Sequence, residues 1–185
     1  MSIQFDMTAL AKRVAELGGL QGDKAVKADV AEIAKLETDW RAAWTVRNVT
    51  HTTSAAGARY RHQLHEQAEA LKRGEKLPRS YGFSDIERDH AAKMEAAYLA
   101  MQHISAAAQV PAGRIHKKFI PIIETTVDAE TKSEMADAAR FEFPFTPAPK
   151  LVALRELLDA MRRADPTLPH SAGASPAAML PYITF

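Results

Sequence analysis

Two groups of residues in this 185-residue chain have the types and spacing of metal ligands. The first is the Glu87-x-x-His90 step within SDIERDHAAKMEAAYLAMQHISAAAQ, residues 84–109. On a helix its two side chains lie one turn apart, as in bundles that hold metals with inward-facing carboxylates and imidazoles. The second is RHQLHEQAE, where His62, His65, Glu66 and Glu69 fall at i, i+3, i+4 and i+7. Those positions share one side of a helix, and divalent metals accept these ligand types.

Each group also has a plainer explanation. Ser84 and Glu87 make S-x-x-E ahead of an apolar run, the pattern of a capping box that ties off a helix start. A carboxylate bundle needs a second Glu-x-x-His, and the chain has none. On a helical wheel His90 falls among Ile86, Met94, Ala97, Met101 and Ile104, and it reads as a hydrogen-bonded core histidine. The His62 group lies opposite Tyr60, Leu64 and Leu71, so it faces water or a partner. No metal, cofactor or catalytic residue is assigned. His62, His65, Glu66 and Glu69 remain the candidate ligand set of a site shared between subunits.

Other chemistry is limited by what the chain lacks. With no cysteine there is no disulfide, thiolate metal site or thiol nucleophile. Neither a Gly-x-Ser-x-Gly elbow nor a Walker motif is present. GGLQGDK has glycines before a helix but lacks the Gly-Lys-Ser/Thr ending, so it reads as a turn. GRIHKKF is a small basic patch that Arg59, Arg61, Lys72, Arg73, Lys76 and Arg79 could widen toward phosphate. Acids interleave with those bases, and the formal charge is only +1. A nucleic-acid surface is therefore the third reading, behind a protein contact and a His/Glu metal site or enzyme.

The elements that must position these residues are mostly helices. Asp6 caps a segment to Leu17, ended by Gly18-Gly19, with Leu10, Val14 and Leu17 on one face. Asp23 caps a helix over about 24–47, whose stripe runs through Val26, Val30, Ile33, Leu36 or Glu37, Trp40 and Trp44. TVRNVTHTTS breaks the pattern as a loop or short strand. A third helix carries Tyr60, Leu64, Ala68 and Leu71 inward and ends near Gly74, and EKLPRSYGF is a connector. A fourth spans about 85–109 and stops before Pro111. FIPII has no clean period and contains Pro121, so 110–127 is expected to be extended. A helix over about 129–141 follows, capped by Asp128. FEFPFTPAP, over 141–149, is extended again, and the last helix, about 148–164, turns Leu151, Leu154, Leu158 and Met161 inward.

The fold expected is mainly α: an irregular bundle of five or six helices with extended connectors and a Pro-rich C-terminal arm. Residues 1–164 form the helical domain and 165–185 the arm. A chain this long buries roughly 70% of its extended surface and needs no staple. MSIQFDMTALAKRVAELGG has no apolar leader region and no run spans a membrane, so a cytoplasmic protein is the expectation. NVT at 48–50 matches a glycosylation acceptor but has no secretory context.

An apolar terminus, MLPYITF, has little reason to stay in water. With the tryptophans and FEFPF it suggests protein contacts through Trp40, Trp44, Phe141, Phe143, Phe145, Met179, Leu180, Tyr182, Ile183 and Phe185. Residues 55–83 carry six bases against three acids, and 121–145 carry two against six, so the two blocks could meet across a subunit contact. The function expected is a non-enzymatic structural or adaptor protein acting by self-association or within a larger assembly. Motif-poor helical chains with extended arms are common as phage virion head–tail components, which makes the virion the alternative setting.

Overall fold

The structure, a computed structural model, describes residues 6–50, 53–141, 144–168 and 173–183. Phe143 and Phe185 lie outside them, as do the side chains of residues 49, 50 and 53–55. The chain is mainly helical, with no strand among the described residues. Five α-helices follow in order: α1 Met7–Leu17, α2 Lys24–Thr50, α3 Thr53–Lys72, α4 Phe83–Arg140 and α5 Pro149–Arg163. Short 3-10 turns occupy Leu20–Gly22 and Pro176–Met179. By internal contacts the chain divides into two units, Met1–Glu37 with Ile104–Phe185, and Thr38–His103. The divisions fall inside α2 and α4, and residues 165–185 belong with α5.

The first unit holds the large core. α1 starts where Asp6 accepts the Thr8 and Ala9 amides, and it ends at Gly18 and the left-handed Gly19. Leu10 and Val14 are buried with Ala11 and Ala15, but Leu17 is 73% exposed and leaves the expected face. α5 has Pro149 in its first turn, where a missing N–H costs nothing, and it buries Leu151, Leu154, Leu158 and Met161. Phe119, Ile115 and Ile123 complete the interior with Val26 and Ile33 of α2.

The expected extended segment 110–127 is instead helical. α4 passes through Pro111 and Pro121, which lack the N–H groups that would bond the carbonyls of Ala107 and Lys117. The compensation is a stripe that neither proline interrupts: Met101, Ser105, Ala108, Ala112, Ile115, Phe119, Ile123 and Val127 recur at three- and four-residue steps, all buried. Hydroxyl side chains along this stretch turn back onto the helix. Thr125 donates to the Pro121 carbonyl, Thr126 to Ile122 and Thr131 to Val127. Asp128 is therefore inside a helix and caps nothing. Likewise α2 runs to Thr50 through TVRN, with the Thr45 hydroxyl on the Arg41 carbonyl at 2.8 Å.

In the second unit α3 ends at Gly74, whose positive φ and the bond from Glu75 N–H to the Ala70 carbonyl at 2.9 Å form the expected left-handed stop. Its inward face is not the expected one. Ala56 and Ala70 are buried and Tyr60, Gln63 and Gln67 partly so, while Leu64 and Leu71 are 45% and 64% exposed. The rotation follows from two contacts. Gln63 donates from Nε2 to the Tyr81 carbonyl at 2.9 Å and accepts the Tyr81 N–H at 3.1 Å, and Tyr60 meets Phe83 edge to face. α4 begins at Phe83, with Gly82 accepting the Asp85 and Ile86 amides, so Ser84 lies inside the first turn and not at the cap. The expected capping box starts two residues too late.

Candidate functional site

The second unit, Thr38–His103, buries few hydrophobic side chains and leaves many large ones exposed. Its buried hydrophobic side chains, among the described residues, are Ala56, Ala70, Ile86, Ala97 and Met101. Its exposed ones include Trp44, Leu64, Leu71, Leu77, Tyr81, Phe83, Tyr98 and Leu99. Trp40 is half-buried, and its indole Nε1 has no hydrogen-bond partner among the described residues. Trp44, expected on the buried seam, is 47% exposed. Arg47 lies over the Tyr98 ring, 4.9 Å from its centroid, so a cation dresses part of this surface.

A cleft of about 700 Å³ opens in the same unit between α3, the 75–82 connector and the start of α4. Arg59, Arg79 and Lys93 supply cations, and Glu66, Asp85 and Asp89 supply carboxylates. Asp89 takes hydrogen bonds from Lys93 at 2.8 Å and Arg59 at 3.0 Å, which hold its carboxyl below the ordinary carboxylate value. Arg79 stacks on Tyr81. The charges answer one another within the cleft, so it favours no one ligand class.

The four His/Glu candidates do not converge. His62 faces Glu66 at 3.6 Å and borders this cleft, His65 and Glu69 border a second groove with Arg73 and Lys76, and Glu66 lines both. Among the described residues no three histidine or acidic side chains are grouped closely enough to hold a metal. His90 is half-buried, but neither ring nitrogen has a partner among the described residues, so the expected hydrogen bond is not seen there.

The basic segment of α4 is committed in part, with Lys117 exposed. Ile115, His116 and Phe119 point into the core, Arg114 pairs with Asp29 and Glu32, and Lys118 pairs with Asp23. Arg59, Lys72 and Arg73 likewise have acidic partners in Asp89, Glu69 and Glu75. Phosphate would have to compete with these carboxylates.

Of the expected contact residues in the arm, Met179 and Leu180 are buried against the arm's own unit, Ile183 packs at the edge of that core, and Tyr182 is 41% exposed. Phe141 and Phe145 are 58% and 40% exposed. The buried His116 and the pair of Asp29 with Arg114 escaped the sequence reading, because their partners lie far off in the chain. No protein-family model, curated protein or solved structure matches the chain. No helix among the described residues is long and apolar enough to cross a membrane.

Proposed function

We propose that the protein is a non-enzymatic structural or adaptor protein that works by associating with protein, in the first place with a second copy of itself. The supporting observation is the thin interior of Thr38–His103, where Ala56, Ala70, Ile86, Ala97 and Met101 are the buried hydrophobics among the described residues and Trp44, Leu64, Leu71, Tyr98 and Leu99 face outward. Exposed apolar side chains are stabilised when a partner covers them, and aromatic residues are the usual anchors of such contacts. An assembly of this kind could stand in the cytoplasm or in a virion head–tail joint.

Light scattering on a sizing column tests the reading. Full-length protein is expected to exceed the 20.3 kDa chain mass and to dissociate on dilution. Trp44→Glu, at a residue already half in water, is expected to weaken association at least about tenfold with helicity unchanged, as loss of an interface anchor does. A 20.3 kDa species at every concentration would refute self-association.

A further inference from the structure

Three side chains from two helices fasten residues 173–183 to their own unit. The Ser105 hydroxyl donates to the Ala174 carbonyl at 2.6 Å, and the Ala177 N–H donates to Glu37 Oε2 at 3.0 Å. The third fastener is His116, whose Nε2 lies 2.7 Å from the Met179 carbonyl oxygen. Between these points Pro176, Met179 and Leu180 are buried, Met179 to 1% exposure. The segment ends in strain: Tyr182 has φ +66, a left-handed conformation that a side chain disfavours.

The bond from His116 Nε2 to the Met179 carbonyl can form in either protonation state, but the surroundings of Nδ1 suit only the neutral ring. A carbonyl only accepts, so Nε2 carries the proton and Nδ1 is the bare nitrogen of a neutral ring. Nδ1 is buried and has no partner among the described residues. A second proton there would put an N–H without an acceptor, and a charge, into a site that residue burial has stripped of solvent.

We propose that residues 173–183 form a releasable strap and that protonation of His116 opens it. The charged surroundings are few. Asp165, just past α5, favours the cation, and Arg163 at the end of α5 borders the hollow beside Met179 and Tyr182. On α4 itself Arg114 and Lys118 are tied to Asp29 and Asp23. The inward residues of α5, Leu154, Leu157, Leu158 and Met161, are uncharged, Glu37 is engaged by Ala177, and Tyr182 is the strap's own titratable group. Burial outweighs the Met179 carbonyl and Asp165 and holds His116 below its ordinary value of 6.5. A folded value below the released one means that the released state binds the proton more readily. The fastening is therefore fully present above about pH 6.5 and is lost as pH falls from there through the lowered folded value.

Hydrogen–deuterium exchange of the full-length protein, read on a peptide covering 173–183 and corrected for intrinsic rates, tests this at pH 7.5 and 5.5. Wild type is expected to lose protection at the lower pH, by at most about tenfold for a released ring that titrates at 6.5, while amides at 108–123 keep theirs. His116→Gln retains a side-chain donor for the Met179 carbonyl but cannot titrate, and its strap is expected to be insensitive to pH. Asp165→Asn keeps an acceptor oxygen and removes the charge that favours the cation, so its loss at pH 5.5 is expected to exceed that of wild type. Equal protection of wild type at both values would overturn the proposal, as would a loss in His116→Gln that matches wild type. Should circular dichroism show His116→Gln unfolded, Asp165→Asn decides: a loss no larger than that of wild type overturns it.

Discussion

Asp29 on α2 and Arg114 on α4, 85 positions apart, form a forked ion pair in which Arg114 Nε lies 3.1 Å from both carboxylate oxygens and Nη2 lies 2.5 Å from Oδ1. The two ends are unequally buried: the Asp29 side chain is 10% exposed and that of Arg114 50%. Removing the guanidinium strands a buried carboxylate, whereas removing the carboxylate leaves a cation that can turn to water. Arg114→Ala is therefore expected to lower the thermal midpoint more than Asp29→Asn does. Arg114→Lys is expected to fall between wild type and Arg114→Ala, since it keeps the charge and loses the fork. Calorimetry on the three variants checks the order, and an equal drop for Ala and Asn would remove burial as its cause.

A second prediction concerns Gly18, which ends α1. A Cβ at this position would collide with Ile122 Cδ1 and lie 2.8 Å from its Cγ2, so the whole isoleucine would have to move. Gly18→Ala is expected to cost about 1–3 kcal/mol, the range for overpacking. Gly22 nearby has nothing within 4 Å of the same added atom and no positive φ. Gly22→Ala is accordingly expected to stabilise by about 0.4–1 kcal/mol, through lower entropy of the unfolded chain. Urea denaturation of both variants measures the difference.

The parts legible in the sequence are those set by neighbours along the chain. The Asp6 cap and Gly18-Gly19 stop define α1, Pro149 opens α5, and Leu151, Leu154, Leu158 and Met161 repeat at one face. What failed was punctuation read as final. Pro111 and Pro121 each cost a helix roughly 3 kcal/mol in isolation, but the eight-residue buried stripe from Met101 to Val127 outweighs that. Leu64 and Leu71 form a convincing apolar side on a wheel, yet the Gln63 amide clasping the Tyr81 backbone decides which side turns inward. Such preferences are tertiary. For the candidate site the tryptophans were visible as residues, but whether they faced in or out depended on how little the rest of their unit could bury.

Acid should weaken the fold in a second window, below that of the His116 strap. The Lys118 hydrogen bond, with the Val26 N–H, holds Asp23 below its ordinary 3.8, and Lys93 followed by Arg59 does the same for Asp89. A carboxyl lowered in the folded state contributes stability that is present above 3.8 and is lost as pH falls through the lowered value. Both groups are solvent-accessible, so each effect is expected to be small. Lys118→Met should flatten the part due to Asp23. Thermal midpoints of wild type and Lys118→Met are expected to differ at pH 7 and to approach one another near pH 2, and a constant gap would exclude this pairing as the source.

The unequal cores predict unequal local stability. Phe119, Ile115, Ile123, Leu151, Leu154, Leu157 and Met161 are fully buried in the first unit, so Phe119→Ala is expected to cost about 3–5 kcal/mol there. In Thr38–His103 the buried set is Ala56, Ala70, Ile86, Ala97 and Met101, which loses little water-exposed area on folding. Amides at 56–70 and 86–101 are therefore expected to exchange faster than those at 108–123 and 151–161, with opening free energies well below the global value. Association through Trp44, Leu64 and Leu99 would cover the deficit, because any contact made only by the folded unit stabilises it by mass action. Protection in 56–70 and 86–101 should thus rise with protein concentration while that of 108–123 stays fixed. Concentration-independent exchange in both regions would show that this surface is not what holds copies together.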